Sequence, residues 1–144
     1  MTIFQSLSDA SVYRTVALIP QQTMFALILA GDDKHKNAEN TRRSLALGHE
    51  FCDVFGRVAQ GPSSFHPATS SEARLAAGIK ELPQTELLQW AEPIHQVQSV
   101  IARLLAGESV SEQLLLQSSA ALDQFASFAK SAIPLSHEGD DRLV

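Results

Sequence analysis

Apolar residues recur at steps of three and four over most of this chain, and the longest such series is Leu87, Trp90, Ile94, Val97, Ile101 and Leu104. Steps that alternate in this way lay all six side chains on one stripe of a helix, the seam of a coiled-coil contact. Pro93 falls inside the series, so the segment is either one kinked helix or two helices that meet near Trp90. A second periodic stretch predicts a helix from about Asn40 to Gln60, with Asn37 or Asn40 as its cap and Gly61-Pro62 as its stop. Its apolar face carries Leu45, Leu47, Phe51, Cys52, Val54, Phe55, Val58 and Ala59. Gly48 and Gly56 lie on or beside that face, where glycine weakens a helix unless a neighbour must come close.

The stretch Val16 to Ala30 differs, because its apolar residues point in nearly every direction around a helix. That is the pattern of an element buried on all sides, and it places this helix at the centre of the fold. Ser8 or Asp9 is its expected cap, Pro20 its kink and Gly31 its stop. Two strands, Arg14 to Ile19 and Met24 to Leu29, are the rival reading; helix-forming Ala, Leu, Met and Gln, and the lack of clean alternation, favour the helix. A membrane span needs about 20 apolar residues; this run is shorter and interrupted by Pro20, Gln21, Gln22 and Thr23. A secretory leader would need a basic start and an unbroken apolar centre, and the same interruption argues against one.

The remaining elements follow from caps and breakers. Residues 61 to 71, GPSSFHPATSS, read as a loop. Thr69 and Glu72 have capping-box spacing for a short helix that bears Leu75 and Ile79, is weakened by Gly78 and ends at Pro83. Gly107 stops the Leu87 to Leu104 helix, and Ser109 with Glu112 gives a second capping-box spacing for a helix running to about Ala132, closed by Pro134. So short a connection predicts an antiparallel hairpin over residues 84 to 132. Residues 1 to 9 carry Ile3, Phe4 and Leu7 without a decisive pattern, and residues 135 to 144 read as a mobile polar tail. The fold expected is all-α: a single domain over residues 1 to 144, a bundle of four to five helices with proline kinks.

Composition narrows the function classes. At 144 residues, 44% hydrophobic and 19% charged, the chain is in the globular range and long enough to bury a core. A net charge of −5 with 11 Lys and Arg argues against nucleic-acid binding, which depends on neutralising phosphates. The lone Cys52 excludes an internal disulfide and suits a reducing compartment, so the cytoplasm is expected.

Chemistry-bearing patterns are sparse. Glu92 and His95 have the Glu-x-x-His spacing of di-iron bundles, but such sites need a second pair and two more inward glutamates. His49 and Cys52 could offer two ligands to zinc, yet no second pair is visible, and a buried core cysteine is the plainer reading. No nucleophile elbow, dinucleotide fingerprint or phosphate loop occurs, so no cofactor and no catalysis are expected. The residues carry no family signature; likeness to small helical bundles is an architecture, not a function. The leading expectation is an interaction or regulatory protein that acts through an apolar helix face, with a protein partner or as a homodimer. Leu87, Ile94, Val97, Ile101 and Leu104 are the candidate interface, covered from within the chain or by a second copy. The alternative is a ligand-binding bundle whose pocket opens at the Pro20 and Pro93 kinks, lined by Gln21, Gln22, Trp90 and His95; a metal-binding helical protein is third.

Overall fold

The computed structural model describes residues 11–133. Within them the regular structure is helical. A π-helical turn, Arg14–Leu18, runs straight into α1 (Ile19–Ala30), followed by α2 (Glu39–Gln60), α3 (Ser70–Ile79), α4 (Gln84–Leu105) and α5 (Glu112–Ala132), with a 3₁₀ turn at Pro62–Ser64. No strand forms among the described residues, so the helical reading of residues 14 to 29 holds over the two-strand one. None of these helices is long and apolar enough to cross a membrane. The expected caps at Ser8 or Asp9, the N-terminal residues Ile3, Phe4 and Leu7, the stop at Pro134 and the tail 135 to 144 lie outside the described residues.

Local chemistry accounts for most helix ends. Thr69 Oγ1 accepts the amide of Glu72, and Glu72 Oε1 accepts the amide of Ala68, so the expected cap forms with its return arm one residue early. α4 ends in a Schellman arrangement: Glu108 N–H reaches Arg103 O, Gly107 N–H reaches Leu104 O, and Gly107 takes the left-handed φ of 85°. Arg42 donates to Leu105 O at 2.8 Å and ties the start of α2 to that end. Two expected caps are corrected. α2 begins after Ala38 without a side-chain cap, so neither Asn37 nor Asn40 serves; α5 is capped by Ser111, whose hydroxyl accepts Leu114 N–H, not by Ser109. Pro20 directly follows the π turn inside one continuous helix, so the wider π turn, not a free helix start, is what accommodates its ring and its missing amide proton. Pro93 lies within a single continuous α4, not between two helices.

Four helices close a ring in which α1 packs on α2 and α5, α2 on α4, and α4 on α5; α3 covers α2 and the π turn. The centre is aromatic. Phe125 of α5 meets Phe51 and Phe55 of α2 at ring distances of 5.9 and 5.4 Å and Trp90 of α4 at 5.3 Å, mostly edge to face. Two glycines serve close approach. A Cβ on Gly48 of α2 would lie 2.4 Å from the Thr23 side chain, and one on Gly78 of α3 would lie 2.7 Å from Thr15. The backbones of α2 and α3 therefore seat directly on the threonine face of the N-terminal helix. Gly56 has no such neighbour among the described residues.

The ring overturns one expectation. α1 is a wall of the bundle, not its centre, and it is not buried on all sides. Thr15, Val16, Ala17, Pro20, Thr23, Ala26, Leu27 and Ala30 face inward, whereas Leu18, Phe25, Ile28 and Leu29 are exposed. In a four-helix ring each member has neighbours on its inner side only, so apolar residues all round a wall helix must leave some in water.

Candidate functional site: an apolar strip between two charged clefts

The outward face of α1 and its flanks form the site. At about 100° per residue, Leu18, Gln21, Phe25, Ile28 and Leu29 project to one side of the helix, and Asp32 follows two residues past its end. Phe25 and Ile28 are 54% and 52% exposed, Leu18 and Leu29 41% and 40%, and Leu116 of α5, which shares a cleft with Ile28, is 59% exposed. Large apolar side chains exposed singly are ordinary; five in one neighbourhood, four of them on one helix, are a patch of the kind that marks an interaction surface. Leu88 is exposed too, but on α4, which packs on α2 and α5.

Each end of the strip opens into a cleft, and the clefts carry opposite charge. The first, about 260 Å³, lies where the π turn meets α2 and α3; Arg14 and Arg74 line it beside Leu18, Gln22, Leu47 and Leu75, with no carboxylate among the described residues that line it. The second, about 460 Å³, lies where the end of α1 meets the start of α5. Asp32, Asp33, Glu108 and Glu112 line it, against one Lys36. Asp32 accepts the Lys34 amide at 3.0 Å and the His35 ring at 3.1 Å; the backbone bond first, then the imidazole, holds its carboxyl below the ordinary range. Arg14 is exposed and has no ion-pair partner among the described residues.

The residues singled out from the sequence are dispersed. The seam Leu87, Ile94, Val97 and Ile101 is buried, and Leu104 half-buried, against the chain's own core, so it is covered internally and is not a free interface. Gln21, Gln22, Trp90 and His95 do not share a pocket. Gln22 donates to Ser44 Oγ beside the basic cleft and Gln21 is half-buried on α1. Trp90 stacks on Phe128 at 5.6 Å, and His95 is exposed on α4. Pro93 does line a groove of about 350 Å³, between α4 and α5, but its companions there include Glu92, Gln96, Val97, Val100, Arg103, Ser118 and Ala121, and none of those four residues. Ser118 is 6% exposed, and its hydroxyl has no hydrogen-bond partner among the described residues.

Among the weak metal candidates, Glu92 accepts from Gln96 and stands exposed with His95, while His49 is half-buried beside a fully buried Cys52. Burial, with Asp53 nearby, pushes the Cys52 thiol up to about 12, which keeps it protonated and a poor ligand. Among the described residues no three His, Cys, Asp or Glu side chains converge as metal ligands. The sequence hides the strip because the same apolar richness predicts burial. The signal that could have found it is the π-turn and α1 face on which Arg14, Leu18, Gln22, Phe25 and Leu29 follow at helical spacing. Comparison with family models, with curated proteins and with solved structures finds no match.

Proposed function

We propose that this chain is a small interaction or regulatory protein whose working surface is the outward strip of α1, with a protein as its partner. The observation that supports this reading is the exposed set Leu18, Phe25, Ile28, Leu29 and Leu116 bracketed by charge. An apolar centre with a polar rim is the anatomy of a protein interface, and a central aromatic is the commonest anchor. The groups on it are aliphatic and aromatic side chains, amides and surface charges, suited to recognition and not to bond making. The buried, protonated Cys52 is consistent with a reducing compartment such as the cytoplasm.

Site-specific photocrosslinking tests the reading. A benzophenone side chain at Phe25, irradiated in living cells of the source, should give a discrete adduct, and the same group at exposed Gln89 of α4 should not. Equal, weak labelling at both positions would remove the interaction reading.

A second reading has its own observation. The buried Ser118 hydroxyl in the α4–α5 groove, without a hydrogen-bond partner among the described residues, suits a small ligand with an apolar body and one hydrogen-bonding group. A metabolite that raises the melting temperature of the native protein, but not of Ala121→Trp, would support it; no shift across a broad panel would end it.

A further inference from the structure

We infer that the partner of the α1 strip is a second copy of this chain, docked antiparallel about a two-fold axis. The inference rests on the interaction reading above and supplies the identity of the partner. Its physical basis is that the strip is self-complementary when reversed. A two-fold interface sets residue i against j and j against i, so it is favourable only where the two ends of a surface attract each other. Here the end at Arg14 and Arg74 carries two guanidinium groups and no carboxylate among the described residues, and the end at Asp32, Asp33, Glu108 and Glu112 carries four carboxylates and one lysine. Asp32 is bonded to His35 and Glu108 is paired with Arg103, so Asp33 and Glu112 are its carboxylates without an ion-pair partner among the described residues.

An axis crossing the strip at the level of Thr23 sets Arg14 opposite Asp32 of the other copy, Leu18 opposite Ile28, and Gln21 opposite Phe25. Arg14 to Asp32 spans 18 steps, about 27 Å at the helical rise, a length suited to a helix pair. Both apolar ends then meet apolar groups and both charged ends meet their opposites. Parallel docking would set Arg14 against Arg14 and Asp32 against Asp32, and is disfavoured by like charge. A standard interface takes about 800 Å² from each partner. Five apolar side chains that are 40% to 59% exposed supply part of that, and the two flanking clefts, about 260 and 460 Å³, offer further contact surface.

The test uses the full chain in analytical ultracentrifugation from 1 to 200 µM, with circular dichroism to confirm folding. The wild-type protein should reach dimer mass as concentration rises, with affinity that weakens as salt is added. Phe25→Asp should stay folded and sediment as a monomer. Reversing the basic end (Arg14→Glu with Arg74→Glu) should weaken self-association at least tenfold. So should reversing the acidic end (Asp33→Lys with Glu108→Lys). An equimolar mixture of the two reversed proteins should restore the dimer, because each offers the charge that the other lacks at both ends. A structural defect could not be repaired by mixing.

A wild-type protein that is monomeric throughout overturns the inference. If Phe25 then crosslinks to a different protein in cells, the interaction reading survives; if it crosslinks to nothing, both fall. A dimer indifferent to all these substitutions also overturns it, since another face would be in use. Dimerisation that appears only after deletion of residues 1 to 10 would make the chain's own N-terminal segment the occupant and would overturn it as well.

Discussion

Gly48 and Gly56 sit eight positions apart on α2 and look alike in the sequence, yet they face different surroundings. A methyl group on Gly48 would collide with Thr23 of α1, whereas one on Gly56 would meet nothing within 4 Å. Gly48→Ala should therefore destabilise by about 1 to 3 kcal/mol through overpacking, and Thr23→Ala added to it should recover part of the loss. Gly56→Ala should stabilise by about 0.5 to 1 kcal/mol, as an open helical site gains from lower backbone entropy. Urea unfolding of the variants separates them, and equal effects at the two glycines would contradict the close approach.

Cys52 adds a pH dependence with a definite sign. Its thiol titrates near 9 in the unfolded chain and about 12 in the folded one, so the native state holds the proton longer. The contribution is fully present below pH 9 and is lost as pH rises toward 12, at up to about 1.4 kcal/mol per pH unit. The informative quantity is the difference between wild type and Cys52→Ala, which removes every contribution the two share. Stability of the wild type should fall more steeply between about pH 8.5 and 10.5, and parallel curves would show that the thiol titrates alike in both states.

At the level of elements, the caps distinguish what spacing suggests from what the backbone does. Ser109 and Ser111 both precede an apolar run, but only Ser111 accepts a helix amide, that of Leu114 at 3.2 Å. Removing a cap hydroxyl costs about 1 kcal/mol. Ser111→Ala should lower stability by that amount and Ser109→Ala by less than about 0.5 kcal/mol, the range of ordinary surface changes. The reverse order in thermal melting would restore the capping box read from Ser109 and Glu112. Thr69, whose cap forms where the spacing predicts it, is the positive control.

For the whole molecule, the ring of α1, α2, α4 and α5 decides which apolar faces are inside. The α4 seam is covered by its own chain, with Ile101 fully buried. Ile101→Asp should thus unfold the chain, because a buried carboxylate without a partner is too costly to accommodate. A folded but smaller particle would mean instead that a second copy covers the seam. Phe25→Asp is the contrasting change: half-exposed on the outer wall, it should leave the melting temperature within a few degrees and alter only association. A large loss of stability there would show that the strip is covered in the isolated chain.

Helix type, the extent of most helices and the inward face of α2 and α4 are legible in the order of residues, because helical periodicity and capping act over three to four positions. The use of Gly48 is only half legible: an apolar-face glycine suggests close approach, but Gly56 carries the same signal and makes none with the described residues. The direction of α1 is not legible. Its apolar residues surround the helix, so nothing local says which side meets the core; only the arrival of α2 and α3 on the Thr15 and Thr23 side, and of α5 beside Leu27 and Gly31, leaves Phe25 and Ile28 in water. The pocket expected at the proline kinks fails for a related reason. Nothing local joins Gln22, Trp90 and His95, because a pocket is a relation between helices, set by how the ring closes. The charged clefts are invisible for the same cause: Arg14 and Arg74 line one cleft, and Asp32 and Glu112 the other, although long stretches of chain separate each pair. Short-range order in the sequence determined what each helix is, and long-range packing alone decided which of its faces is left to meet another molecule.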